Sequence, residues 1–517
     1  MDCGNKLLRE IFGDSKVASK IACGRTKAEM IVKKVLAPKS VTDFVNNLND
    51  PSKSGVFFSI ATDASNHKNR KMFPVVVRYF DPLVGIQNKI LDFIEQADES
   101  ATGIYNLLKC SIQNNGLSLE NVSSFCADNA NVNYGKHHSV MKLLNNDNGN
   151  ILSANCSNHI LHNGCKHASD ILDIDIELIV LKLYGHFASS AKRREKLQSF
   201  FTFVDLEWSE ILRHVPTRWL SLTPAVDRVL SNWEAIRSYL KSVEDCPKAL
   251  QKYFSDDDSG KDLILQAYFC FFSHIGNILV NTSKYIENAD LTIMETFTAV
   301  RGLLDKICQR KSDKFFGSGT HKILAMLGTN NRNLAEVIFI EFYSHLHAYL
   351  TKRFIIVQNI PINDLLPLCL NKEIQFNELQ DICKYFQFEL NEDDLYDEFC
   401  SVREILKCKI DLTGNANACQ KWVAVFCECR SKGINIPNLE KVLSFVMSIP
   451  GSNAHTERVF SIMNNKWTDV RNRSATELIK AEMQIVTNFS MTCKEFFKLS
   501  STDLKLLTEC KSNCKYL

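Results

Sequence analysis

Three carboxylates, far apart in the chain, sit where phosphoryl-transfer chemistry needs them. Asp63 follows an apolar stretch in Ile60-Ala61-Thr62-Asp63-Ala64-Ser65, and Asp128 follows another in Phe125-Cys126-Ala127-Asp128-Asn129-Ala130. Glu457 comes about 330 residues later in Ser452-Asn453-Ala454-His455-Thr456-Glu457-Arg458-Val459-Phe460-Ser461, which reads as a helix. Two aspartates at strand ends and a late helical glutamate make the ligand set of a two-metal site. Hard anionic oxygens from several elements hold two Mg²⁺ or Mn²⁺ ions ~4 Å apart, one activating the attacking oxygen and the other stabilising the leaving one. Each residue also has an ordinary reading. Asp128 suits an N-cap of the following helix, and Glu457 suits a surface ion pair. Asn129 and Asn131 carry amides able to order the loop after Asp128.

Other groups carry weaker signals. Lys192-Arg193-Arg194 is a compact basic patch, and residues 6–39 are basic on balance. Either serves as a solvated helix face or a phosphate contact. Arg218-Trp219 follows Pro216, and a large aromatic there suits packing of one helical layer on another. Cys156, His159, His162, Cys165 and His167 resemble zinc ligands by type, but they fall on one helix without the second knuckle of a structural zinc site. On that helix His159 and His162 share a face.

The elements that position these groups change character along the chain. Residues 1–50 read as polar helix, with Pro38 and Pro51 before the first strand. Val56–Thr62, Phe73–Phe80 and Val84–Phe93 read as three meander strands. Helix Ser100–Asn114, strand Val122–Ala127, helix Val132–Leu144 and strand Ile151–Asn155 follow. Beyond Asp170 the pattern is helix after helix to about Ser431. The longest apolar run, Leu263–Val280, contains Gln266, Ser273, His274 and Asn277, which suits a buried helix better than a membrane span.

Composition bounds the class. The chain has 517 residues, 45% hydrophobic and 23% charged, with net charge +2, as expected of a multidomain globular protein. Its 19 cysteines are scattered through apolar stretches and no apolar leader precedes them, which points to thiols in a reducing compartment.

Thr62-Asp63-Ala64-Ser65, Ala127-Asp128-Asn129-Ala130-Asn131-Val132-Asn133 and Glu457-Arg458-Val459-Phe460-Ser461 together resemble the hAT superfamily of DNA transposases and host proteins derived from them. Cys156-Ser157-Asn158-His159, Thr217-Arg218-Trp219-Leu220-Ser221 and Val470-Arg471-Asn472-Arg473 fall between and behind in the family's order. The resemblance implies an α/β fold, an RNase H-like mixed sheet interrupted by a large all-α insertion domain. It implies a basic helical segment at 1–50, the first part of the core at 51–170, the insertion at 171–430, and the rest of the core with the dimerisation region at 431–517. Asp63, Asp128 and Glu457 become catalytic and metal-binding. Arg218, Trp219, His159, Arg458, Lys192, Arg193 and Arg194 become DNA contacts. DNA, a homodimer or larger assembly, and the nucleus are the implied partners and location. Family members usually begin with a BED-type zinc finger, whereas residues 1–50 hold only Cys3 and Cys23 and no histidine. The alternative is a catalytically silent, domesticated derivative acting through dimerisation and DNA or protein binding. An RNase H-like exonuclease fits poorly, because it needs Asp-x-Glu where this chain has Asp63-Ala64-Ser65.

Overall fold

The computed structural model describes residues 2–50, 56–215, 219–243, 246–254, 260–357, 368, 374–412, 417–489 and 491–516. The chain folds as two units. Unit 1 comprises 1–156, 289–295 and 360–517, and unit 2 comprises 157–288 and 296–359.

Unit 1 is a mixed α/β body built on six strands: β1 (Phe58–Ala61), β2 (Ser65–His67), β3 (Arg70–Asp81), β4 (Gly85–Glu95), β5 (Val122–Cys126) and β6 (Leu152–Ser153). β3 pairs antiparallel with β1, β2 and β4, while β1, β5 and β6 run parallel. β1 and β5 are buried at every position, so both faces of the sheet are covered. On one face Phe58, Ile60, Val75, Val77 and Phe125 join Ile104, Leu108 and Ile112 of helix Ala101–Asn114 and Val140 and Leu144 of helix Val140–Asp147. Helix Pro437–Ser448 packs on β1, β3 and β5. Its Ser444 Oγ accepts the Phe57 N–H at 2.9 Å, and Ser448 Oγ lies 2.6 Å from Ser123 Oγ.

Several elements differ from the sequence reading. β2 is an extra strand lying along the same edge of β3 as β1, with 62–64 between them. The gap faces Pro74, which has no N–H to give a neighbouring strand; its carbonyl accepts instead from Thr62 Oγ1 at 2.8 Å. The helix expected over Val132–Leu144 is two, Asn131–Tyr134 and Val140–Asp147. Gly135 closes the first turn and Ser139 caps the second helix through the Lys142 N–H. Pro38 lies inside a continuous helical run from Arg25 to Leu48. The ladder widens to a π turn over Val32–Leu36 just before it, which accommodates the missing proline donor.

β4 is an edge strand with a bulge, since Val75 pairs with Asp92 and Val76 with Ile90, leaving Leu91 as the extra residue. Helix Thr476–Asn488 seals that edge. Gln484 Nε2 donates to the Leu91 carbonyl at 3.0 Å, and the Asn488 carboxamide bonds both the N–H and the carbonyl of Ile90, at 2.8 and 3.0 Å.

Residues 360–430, grouped by the sequence with the helical interval, belong to unit 1. Helix Ala418–Ser431 explains why. Cys419 Sγ accepts the Ile86 N–H at 3.3 Å, and a Cβ at Gly85 (φ +96°) would sit 2.7 Å from that sulfur.

Every described regular element of unit 2 is helical. Its centre is helix Lys261–Ile286, the one described helix long and apolar enough to cross a membrane. Here Leu265, Phe269, Phe271, Phe272 and Ile275 are fully buried, and Phe271 stacks on Phe339 at 4.0 Å.

Candidate active site

The backbone stations beside the three acids are joined by hydrogen bonds. The Thr62 N–H, one residue before Asp63, donates to the Cys126 carbonyl at 3.1 Å. The Cys156 N–H donates to the Ala127 carbonyl, one residue before Asp128, at 3.2 Å. Asn453 precedes the helix Ala454–Lys466 that carries Glu457. Its Nδ2 donates to the Thr62 carbonyl at 3.0 Å, and its N–H donates to Cys156 Sγ at 3.2 Å. One residue thus fastens the Glu457 helix to the ends of β1 and β6, beside the end of β5. Asp63, Asp128 and Glu457 are all half-buried.

Local bonds orient the side chains. Asp63 Oδ1 accepts the Ala64 N–H at 2.8 Å. Asp128 Oδ1 accepts from Asn133 Nδ2 at 2.6 Å and the Ala130 N–H at 3.3 Å, an Asx turn with an added amide strut. Asn133 therefore does the ordering that the sequence reading assigned to Asn131; it is buried two residues further on, where its amide reaches back. Asn129 has the expected bracing role, with Nδ2 donating to the Cys156 carbonyl at 3.1 Å and Oδ1 accepting from Asn155 at 2.7 Å.

The three carboxylates do not form a set within 4.8 Å of one another among the described residues. A Glu457 oxygen instead lies within 4.8 Å of Cys156 Sγ. The buried amide oxygens of Asn133, Asn155 and Asn453 accept no hydrogen bond from the described residues.

His455, which the sequence reading passed over, follows Asn453 with Nε2 buried and unpartnered. Burial, and then the Arg458, Arg78 and Lys89 cations, push its imidazole down to about 4. Arg78 is itself buried in β3 and donates to the carbonyls of Ala289 and Leu291 at 2.8 and 2.6 Å, with burial lowering it to about 10. Arg78 falls in no motif, and His455 lies within the Ser452–Ser461 run without a role of its own there. Their signal is a cationic side chain in an apolar strand and a histidine on a helix's buried side.

The other singled-out residues are placed as follows. Arg458 is exposed on the Glu457 helix. Lys192, Arg193 and Arg194 sit on helix Ala191–Phe203 of unit 2, where Arg193 turns to the His186 carbonyl at 3.4 Å. His159 is half-buried in the first turn of helix Ser157–Ser169, also in unit 2. On the same helix Cys165 is fully buried and His167 lies 5.1 Å from Tyr349. Arg218 and the Trp219 side chain lie outside the described residues.

Residues 405–489 match the family model for the hAT family C-terminal dimerisation region. The match begins earlier than the expected 431 and takes in the helices from Ala418–Ser431 to Thr476–Asn488, Glu457 among them. It supports membership of the hAT family and formation of a homodimer. No curated protein matches the chain.

Proposed function

We propose that this chain is a hAT-type transposase-like protein with an RNase H-like core, which cleaves DNA and transfers strands through Asp63, Asp128 and Glu457. The single observation that carries the reading is the Asn453 side chain on the Thr62 carbonyl, a bond closing 391 residues of chain beside Asp63. The strand sequence β4-β3-β1-β5-β6, antiparallel through β3 and parallel from β1 onward, supports the core assignment.

The donor set suits Mg²⁺ or Mn²⁺. Its members are carboxylates, and the buried amide oxygens of Asn133, Asn155 and Asn453 add hard acceptors around them. Such ions, when bound, supply Lewis-acid activation of the attacking oxygen and charge stabilisation at the leaving one. The chain's own contribution is orientation. Of the two Asp128 carboxylate oxygens, Asn133 and Ala130 engage Oδ1, which leaves Oδ2 for a ligand. Asn453 sets the height of the Glu457 helix over the strand ends.

Nicking of supercoiled DNA by the purified chain in Mn²⁺ tests the reading. Asp128→Asn should abolish nicking and shrink the Mn²⁺-induced rise in Tm, while leaving the metal-free Tm within a few degrees of wild type. Equal nicking by both proteins would sink the catalytic assignment.

A second reading has one observation behind it: the family match is confined to the dimerisation region. A silent, transposase-derived nuclear protein working through dimerisation and DNA or protein binding would dimerise normally and never nick.

A further inference from the structure

The helix carrying Glu457 and the β2–β3 hairpin that follows Asp63 form two arms of one frame. Trp467, which ends the helix, is ten residues beyond Glu457, about 15 Å at the helical rise. His67, at the end of β2, is four residues beyond Asp63, about 13 Å in extended chain. Near the acids the arms are tied by Asn453 and Thr62. At the far end His67 stacks on Trp467, with ring centroids 4.2 Å apart and planes 13° from parallel. Arg70, the cross-strand partner of His67, lays its guanidinium over the same indole at 5.6 Å and donates to Thr476 Oγ1 at 3.0 Å. Trp467 is only 3% exposed, so it acts as a clip between the arms and offers no open face to a base.

Beyond this clip the surface is cationic. Lys68 at the hairpin tip and Arg70 have side chains 50% and 44% exposed. Arg473 is exposed, and Lys466 is half-buried on the last turn of the helix. The acids facing them are Asp469, 3.7 Å from Lys68 and almost wholly exposed, and Glu95, 3.5 Å from Arg70. Exposed pairs of this kind contribute ~1 kcal/mol or less, so a phosphate displaces the carboxylate at little cost. Lys68 also has φ +57°, where asparagine or glycine is the easier residue. A lysine there keeps a charge at the tip at the expense of the turn.

We propose that the β2–β3 hairpin, clipped to the Glu457 helix by Trp467, is a phosphate-backbone contact for duplex DNA flanking the cleaved bond, with Lys68 and Arg70 as the contacting groups. The inference rests on the transposase-like reading above. With ~3.4 Å of duplex per base pair, a bond held at the acids presents its fourth or fifth neighbouring phosphates to the hairpin. Because both arms are joined at both ends, the cations keep a fixed distance from the acids.

The test is fluorescence anisotropy of the full chain with a labelled 30-base-pair duplex in EDTA, across a salt series. Lys68→Asn removes the charge and suits the left-handed turn, so folding should hold or improve. The expected result is roughly three- to fivefold weaker binding at moderate salt and a log–log salt slope reduced by about 1, the mark of one lost phosphate contact. Lys68→Arg should bind like wild type, and so should Lys494→Glu, a charge change on the exposed face of helix Cys493–Thr502. Unchanged affinity and slope in Lys68→Asn, with wild type binding, overturns the hairpin and leaves the catalytic reading standing. An equal loss in Lys494→Glu also overturns it, since net charge would then account for the effect. Wild-type protein that binds no duplex removes both.

Discussion

At Asn453 one carboxamide and one backbone N–H hold the Glu457 helix to two strand ends. Replacing it with alanine leaves the buried Thr62 carbonyl without that donor, at a cost of ~1–3 kcal/mol. Urea denaturation of Asn453→Ala should show that loss, and Mn²⁺-dependent nicking should fall as well; unchanged stability would mean the helix is held by packing alone. Its neighbour His455 makes folding sensitive to acid. The folded imidazole titrates near about 4, below its ordinary 6.5, so the unfolded chain binds the extra proton between those values. The stability is therefore fully present above pH 6.5 and is lost as pH falls toward 4, by about 3 kcal/mol at most. In His455→Gln the unfolding free energy should flatten across that window, and an unaltered pH profile would show that other groups govern it. Asp63, Asp128 and Glu457 stood out in the sequence because acids interrupting apolar runs are conspicuous. Asn133, Asn453 and His455 did not, because their importance lies in partners far away in the chain.

Elements were legible where period and length agreed. Helix Ala101–Asn114 lies within one residue of its expected span, since Ser100 supplies a cap and Ile104, Leu107, Leu108 and Ile112 supply a face. β2 was missed because Ser65-Asn66-His67 has no apolar alternation and pairs only through β3. The bulge at Leu91 was equally silent, being set by register and by a helix nearly 400 residues away. That helix gives an element-level prediction. Asn488→Ala strips both side-chain bonds from Ile90 and should destabilise unit 1 by ~1–3 kcal/mol, with faster hydrogen exchange at Ile90. Protection at Ile90 equal to wild type would mean that another group seals this edge.

At the scale of the whole molecule, the apolar residues of helix Thr476–Asn488 divide their work. Ile479 and Met483 are fully buried in unit 1, while Val486 is 52% exposed. The match over 405–489 supports a homodimer, and a symmetric pair is the usual outcome for such a surface. Light scattering at micromolar concentration should report a dimer, and Val486→Asp should shift it toward monomer; a monodisperse wild-type monomer would count against assembly through this region. Helix Pro437–Ser448, which packs on β1, β3 and β5, has a consequence during synthesis. The ribosome finishes β6 almost 300 residues before that helix begins. At ~5–20 residues per second the nascent sheet waits roughly 15–60 s with an uncovered apolar face. Yield in the cell should therefore depend on chaperone capacity, and a chain released at residue 156 should aggregate.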